Sequence, residues 1–93
     1  MSGYRSYTVG RSSKADIALD GVDTSVSGIH AELVVSSEGR YYLADAGSSN
    51  GTFVRNGEEW TALRQGYIDA DSDLRLGTHH VPAKDLIGRL PKT

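Results

Sequence analysis

Short alternations of apolar and polar residues, separated by turn residues, run along almost the whole chain. In residues 29–36 ("IHAELVVS") every second position is apolar, and residues 40–45 ("RYYLAD") alternate in the same way. Because turn signals recur between short segments and no long stretch has a helical period, the pattern predicts an all-β sandwich or barrel. The other β-prone segments are residues 5–9, 15–19, 52–55, 58–63, 73–77 and 79–87.

Three places along this pattern are harder to assign or carry a special turn. Residues 64–72 ("RQGYIDADS") show no clear period, and "AKDLIGRL" near the end is compatible with a strand or with one helical turn. Asn56-Gly57 lies between two β-prone segments and predicts a two-residue hairpin turn of type I′. We expect one domain over residues 1–90, with 91–93 as a tail or the start of a linker to a longer parent chain.

Composition narrows the classes of function. The 93 residues contain no cysteine, which excludes thiolate catalysis and Cys-based zinc sites and suits a reducing, cytoplasmic location. Ten basic and twelve acidic residues give a net charge of −2, whereas domains that bind nucleic acid usually carry a basic surplus. No apolar run approaches the roughly 20 residues that span a bilayer, so we expect neither a nucleic-acid nor a membrane partner.

The long connections at residues 10–15, 20–28 and 45–51 concentrate groups that donate hydrogen bonds. They hold an arginine, a lysine, an asparagine and several serines and threonines, a chemistry of donors without an obvious base. His79 and His80 are adjacent, so a strand would point them to opposite faces, and we expect no metal and no cofactor. Function therefore belongs to the connections rather than to the strands.

The chain resembles the forkhead-associated (FHA) domain, a phosphothreonine-peptide-binding module, in four stretches taken together: "VGRSSKADIALD", "SVSGIHAEL", "YYLADAGSSNGTFVRNG" and "LRLG". The ordered set of Gly-Arg, Ser-x-x-His, Ser-Ser-Asn-Gly-Thr and Asn-Gly is specific as a whole, although each piece alone is weak. The resemblance implies a β-sandwich of two twisted, mainly antiparallel sheets with about ten or eleven strands and ligand loops at one end.

The resemblance assigns ligand contacts to four residues. Arg11 occupies the position of the family's phosphate-binding arginine, whose guanidinium can grip two phosphate oxygens. Ser27 matches the serine whose hydroxyl and backbone N–H donate to phosphate, and Ser49 would be a third donor. Asn50 matches the asparagine that hydrogen-bonds the peptide main chain and so fixes the register of the ligand. A simple loop or β-turn role is the structural alternative for each of them.

Other matching positions are expected to shape the loops. The resemblance and the position of His30 beside a loop suggest that it ties loops together through its ring nitrogens rather than acting as a catalytic base. Gly51 and Thr52 shape the turn after Asn50, and Gly10 lets the backbone bend before Arg11.

Gly28 departs from the family pattern, which commonly has arginine or asparagine there. Loss of one charge-assisted hydrogen bond would cost about 1.5–3 kcal/mol of binding free energy. Lys14 could partly replace that charge, with a solvated loop lysine as the alternative. The loop before Ser27 contains Asp20 and Asp23 and no basic side chain, so we expect it to disfavour an acidic residue three places after the phosphothreonine, with Ser25 as the reader.

The resulting hypothesis is a non-catalytic, monomeric domain that binds threonine-phosphorylated partners or its own parent chain. Two alternatives stay open. An enzyme is disfavoured because no Gly-x-Ser-x-Gly elbow is present and His30 is the one histidine near the serines. A phosphate-independent interaction module on the same scaffold is the stronger alternative, since Gly28 weakens the expected phosphate site.

Overall fold

Strands and tight turns account for most of the chain. The structure is a computed structural model and describes residues 3–19, 21 and 24–90. Its elements are β1 (Tyr4–Gly10), β2 (Ile17–Ala18), β3 (Ala31–Ser36), β4 (Tyr41–Asp45), β5 (Thr52–Asn56), β6 (Glu59–Ala62), β7 (Gln65–Ile68), β8 (Asp73–Leu76), β9 (His79–Pro82) and α1 (Ala83–Gly88).

The strands form two sheets, which confirms the predicted β-sandwich. One sheet has the order β2-β1-β3-β4-β7 and the other β6-β5-β8-β9. Every strand pair is antiparallel except β1 with β2, which is parallel. The described residues contain nine strands rather than the ten or eleven expected. β7 lies within residues 64–72, where the sequence shows no clear period. The apolar pattern is weak there because one of the four residues of β7 is a glycine and two are exposed.

The core lies between the two sheets and is built from alternate positions of their strands. Leu33 and Leu43 from the first sheet and Leu74 and Leu76 from the second are completely buried. Full burial of a leucine side chain contributes about 1.5–3 kcal/mol, so these inward rows dominate the stability of the fold. The outward positions between them are left for surface chemistry.

The last predicted segment divides into a strand and a helix. β9 ends at Pro82, and α1 follows over Ala83–Gly88 with Ala83 and Leu86 buried. The Ala83 N–H donates to the carbonyl of Ser72 at 2.8 Å, which fixes the start of the helix against the β7–β8 connection. The helical turn is therefore the correct alternative. In the described part of the chain, no helix is long and apolar enough to cross a membrane.

The hairpin after β5 is in the predicted place, but its turn is shifted by one residue. Asn56 pairs with Glu59, so the two central residues are Gly57 and Glu58. Gly57 has a φ of +63°. Every described residue with a positive φ is a glycine, so the φ of Glu58 is not positive. A type I′ turn needs positive φ at both central positions, so the type I′ prediction is wrong. A type II′ turn needs it at the first position alone.

β3 begins two residues later than the alternation suggested. Residue 29 was predicted to lie on the apolar face, yet Ile29 is 40% exposed and His30 is fully buried. The strand's alternation starts at Ala31. His30 turns inward because its backbone is hydrogen-bonded to Val9 in β1 and to Ala46, and its ring to the backbone of Ser27 and Gly51.

Four connections meet at one end of the sandwich. The Arg11 and Ser12 N–H groups donate to the carbonyls of Ser27 and Gly28, both at 3.0 Å. The Gly77 N–H donates to the Gly51 carbonyl at 2.9 Å. The backbone of Gly10 lies so close to the first pair of loops that a Cβ there would overlap the Gly28 carbonyl oxygen. Glycine at position 10 is thus required by contact, not by an unusual φ.

This close approach predicts that Gly10→Ala lowers the free energy of unfolding by about 2 kcal/mol or more, because the clash is with backbone that cannot rotate away. Gly28→Ala is the matched control, since a Cβ at Gly28 would meet Ser12 Cβ at an ordinary 3.7 Å. Urea denaturation of both variants measures the difference. Equal stability of the two variants would contradict the assigned loop packing.

Candidate functional site

Arg11 stands at the end of β1, where the chain leaves the sheet. Its side chain is exposed, and its Nε donates to the carbonyl of Val26 at 3.0 Å. Its own N–H donates to the Ser27 carbonyl at 3.0 Å. The guanidinium is thereby oriented through one edge, while its terminal nitrogens make no hydrogen bond with the described residues. Such an arrangement leaves two donors in a fork that matches phosphate or carboxylate oxygens.

Ser27 lies opposite Arg11 and joins two loops. Its hydroxyl oxygen accepts a hydrogen bond from the Ser49 N–H at 3.1 Å, so the O–H proton remains available to another acceptor. Its backbone N–H donates to Nδ1 of His30 at 3.0 Å. In this structure the hydroxyl of Ser27 can therefore serve as a ligand donor, whereas its N–H is already engaged.

His30 is completely buried and bridges the loop of Ser27 to the turn at Gly51. Because Nδ1 accepts from the Ser27 N–H, the ring proton must lie on Nε2, which donates to the Gly51 carbonyl at 2.9 Å. Both ring nitrogens are consumed by backbone groups. The histidine therefore has no free nitrogen with which to activate a nearby serine hydroxyl, and the geometry is that of a structural link.

Asn50 and Ser25 form the next contact around the same rim. The Asn50 side-chain Nδ2 donates to the Ser25 carbonyl at 3.0 Å, and Asn50 is exposed. The Ser25 hydroxyl accepts from the Thr78 N–H at 2.9 Å and lies 2.9 Å from the Thr78 hydroxyl. Ser25 is thus held by the β8–β9 turn. Asp20 and Asp23, on which the acidic-loop expectation also depends, lie outside the described residues.

Lys14 and Gly28 lie in the two loops on either side of Ser12 and Ser27. The Lys14 N–H donates to the Ser12 hydroxyl at 3.1 Å, and its side chain is exposed. Gly28 leaves open space beside Ser12, whose Cβ would be 3.7 Å from a Cβ at position 28. A Cβ at position 28 would therefore make only an ordinary van der Waals contact.

Asp45 is a central residue of the site that the sequence reasoning missed. Its carboxylate accepts four hydrogen bonds, from the N–H groups of Gly47 and Ser48 and from the hydroxyls of Ser48 and Thr52. The Ser48 hydroxyl in turn accepts from the Gly51 N–H at 2.9 Å. These bonds shape the turn that presents Ser49 and Asn50. The signal was the sequence Asp-Ala-Gly-Ser, since an aspartate that caps the next backbone N–H groups is typical of turns.

The hydrogen bonds to Asp45 also change its protonation. Burial alone would raise the pKa of the carboxyl, but the hydrogen bonds from the hydroxyls of Ser48 and Thr52 and from the Ser48 N–H outweigh it and hold the pKa below its ordinary value. The carboxylate is therefore charged and fully occupied at neutral pH. Its hydrogen bonds are all made within the turn, to Gly47, Ser48 and Thr52.

The geometry defines a class: a β-sandwich that gathers hydrogen-bond donors on loops at one end. Residues 7–77 match the family model described as the FHA domain. The chain therefore belongs to the FHA-domain family.

Solved structures agree with this assignment. The FhaA FHA domain, complexed with the intracellular domain of Rv3910, is 31% identical with a TM-score of 0.68, over 81% of this chain and 75% of that chain. An FHA domain from work on phosphothreonine-dependent FHA interactions is also 31% identical, with a TM-score of 0.68, over 81% of this chain and 71% of its own. The FHA domain of CT664 from Chlamydia trachomatis is 29% identical with a TM-score of 0.70, over 82% of this chain and 72% of that chain. No curated protein sequence matches the chain.

The lowered pKa of Asp45 predicts a pH dependence of stability. A depressed pKa in the folded state stabilises the fold above the ordinary carboxyl pKa, and that contribution is lost as the pH falls through the folded value. We expect Asp45→Asn to be less stable than the parent at pH 7 and to lose less stability than the parent between pH 5 and pH 2.5. Denaturant unfolding across this range is the measurement. Asp71→Asn, at an exposed turn, is the control that should follow the parent; a parent-like profile for Asp45→Asn would contradict the assignment.

Proposed function

We propose that this domain binds peptides that contain phosphothreonine, in partner proteins or in its own parent chain, and acts as a non-catalytic signalling adaptor. The observation that carries the proposal is the convergence of Arg11, Ser27, Ser49 and Asn50 on one rim. Arg11 N–H donates to the Ser27 carbonyl, Ser49 N–H to the Ser27 hydroxyl, and Asn50 lies next to Ser49 in the same turn. Two hydrogen bonds and one peptide bond thus link four residues from three connections.

The donor set suits a phosphate monoester. A phosphothreonine carries a charge of about −1.5 to −2 and three acceptor oxygens. The Arg11 fork and the hydroxyls of Ser27 and Ser49 can supply charge-assisted hydrogen bonds of roughly 1.5–3 kcal/mol each. Association entropy consumes much of that sum, so we expect micromolar affinity, near −8 kcal/mol.

Asn50 has the position to fix the ligand's register. One of its amide hydrogens is used on the Ser25 carbonyl, which orients the side chain and leaves its oxygen and second hydrogen available. A peptide backbone offers the complementary donor and acceptor. The resemblance to an FHA domain studied for phosphothreonine-dependent interactions, and to FhaA in complex with a protein domain, supports a phosphorylated protein as ligand.

The same proposal covers location and assembly. The net charge of −2 and the donor-rich rim favour a protein ligand over nucleic acid or a membrane surface. We propose a cytoplasmic domain, monomeric in isolation, that needs no metal or cofactor. His30 and Asp45 are both consumed by hydrogen bonds within the fold, which supports binding rather than catalysis.

A phosphate-independent interaction module is the second candidate, and Gly28 is the observation that favours it. Position 28 adjoins Ser12 and supplies no side chain where related domains commonly have arginine or asparagine. The Arg11 fork and two hydroxyls then carry the whole phosphate interaction.

Matched phosphorylated and unphosphorylated threonine peptides, titrated by calorimetry, separate these two functions. We expect measurable binding of the phosphopeptide alone, and a loss of at least about tenfold in Arg11→Ala because one charge-assisted pair is removed. Arg5→Ala, an exposed arginine at the start of β1, is the matched control and should bind like the parent. Equal affinity for the two peptides would remove the phosphate-reading function, and parent-like binding by Arg11→Ala would show that the site is misassigned.

Gly28→Arg tests the open space beside Ser12. A Cβ fits at position 28 and the arginine adds a positive charge, so the phosphopeptide should bind with unchanged or tighter affinity while stability stays near that of the parent. Weaker phosphopeptide binding in a folded Gly28→Arg variant would contradict the placement of the phosphate next to position 28.

A further inference from the structure

A second concentration of binding chemistry lies on the outer face of the four-stranded sheet. Arg75 is in β8, between the fully buried Leu74 and Leu76, so its side chain points to the opposite, outer face. Its Cζ lies 4.6 Å from the centre of the Phe53 ring and 5.1 Å from the centre of the Trp60 ring. Both distances are within the range of a cation–π contact.

The aromatic surroundings hold the guanidinium in place. Phe53 is directly opposite Arg75 in the β5–β8 ladder, whereas Trp60 comes from the neighbouring strand β6. The Trp60 ring also meets the His80 ring edge-on, with centroids 5.5 Å apart. The arginine is thus framed by rings from three other strands, and the rotational freedom of its long side chain is already lost before any ligand binds.

Arg75 has a charge and donors but no polar partner within the described residues. Its Nε is buried and unbonded, and neither a hydrogen bond nor an ion pair with those residues reaches its guanidinium. Asp73 is on the same strand and the same face, two residues away, yet its carboxylate pairs with His80 at 3.4 Å. Burying a charged group without a hydrogen-bond partner costs free energy. A ligand that accepts hydrogen bonds from the remaining N–H groups of the guanidinium would offset part of that cost.

We propose that this Arg75 site binds a carboxylate side chain of an acidic, unphosphorylated segment of a partner protein. The planar fork of a stacked guanidinium matches the two oxygens of a carboxylate. The side chains of Phe53 and Trp60 beside the guanidinium supply apolar contact instead of the hydroxyls that a phosphate would need. β5 and β8, the two inner strands of this sheet, each have a ladder partner on both sides.

The site is adjacent to the loop rim but chemically separate from it. The tip of the Phe53 ring would be 3.2 Å from a Cβ placed on Gly51, so the outer face begins where the Asn50-Gly51 turn ends. An acidic segment seated on Arg75 could therefore belong to the same partner as a ligand at the rim, and two linked contacts strengthen each other. The carboxylate site itself does not depend on the proposed phosphothreonine binding.

Trp60 provides a direct test because it is the single tryptophan of the chain. A capped glutamate-rich peptide without phosphate is titrated into the intact domain, with Trp60 fluorescence and its indole N–H NMR signal as readouts. The matched glutamine peptide and inorganic phosphate, at the same concentrations and ionic strength, are the comparison ligands. We expect a saturable change with the glutamate peptide and none with the other two.

Arg75→Gln should weaken binding of the glutamate peptide by about tenfold or more, and Arg75→Lys should do the same because the charge remains but the fork is lost. Arg5→Ala, at an exposed arginine of the other sheet, should bind this peptide like the parent, and Arg75→Gln should bind the phosphothreonine peptide like the parent, which separates the test from the phosphothreonine proposal. Thermal unfolding establishes that the variants are folded. The proposal is overturned by an absent response to the glutamate peptide, by an equal response to the glutamine peptide or to phosphate, or by parent-like affinity in folded Arg75→Lys.

Discussion

The functional end of this domain depends on one buried imidazole. His30 accepts a hydrogen bond from the Ser27 N–H and donates one to the Gly51 carbonyl, so a single ring fixes the spacing between two loops. Both partners are backbone groups whose burial without a hydrogen bond would be costly. Ser27 and the Ser49-Asn50 turn can stand side by side because this ring joins the loops behind them.

Around that link, some polar groups make hydrogen bonds within the fold and others remain exposed to solvent. Asp45 consumes the backbone N–H groups and hydroxyls that shape the turn, while Ser49 and Asn50 stand exposed beyond it. Arg11 is oriented through Nε, which spares its terminal nitrogens. On the proposed function, an anion would bind this rim at little further cost in conformational entropy. An independent frame of aromatic rings does the same for Arg75 on the outer sheet face.

Much of the fold could be predicted because inward positions recur at every second residue, as in β3 and β4. β7 could not, since a four-residue strand with a glycine and two exposed positions has too little apolar pattern. The order of donors around the rim was beyond sequence reasoning as well. It depends on long-range hydrogen bonds, such as Asn50 to Ser25 and Ser25 to Thr78, that link residues far apart in the chain. Local alternation also misplaced His30, because its long-range bonds override the strand pattern.

The central claim is that the rim held by His30 receives the phosphate. The most direct measurement is a pair of ¹H–¹⁵N NMR titrations of the intact domain, one with a phosphothreonine peptide and one with its unphosphorylated counterpart. The account predicts that the phosphopeptide alone shifts signals, centred on Arg11, Ser27, Ser49 and Asn50, while the strands of the opposite end stay unchanged. Shifts centred elsewhere on the domain, or the same shifts with both peptides, would contradict it.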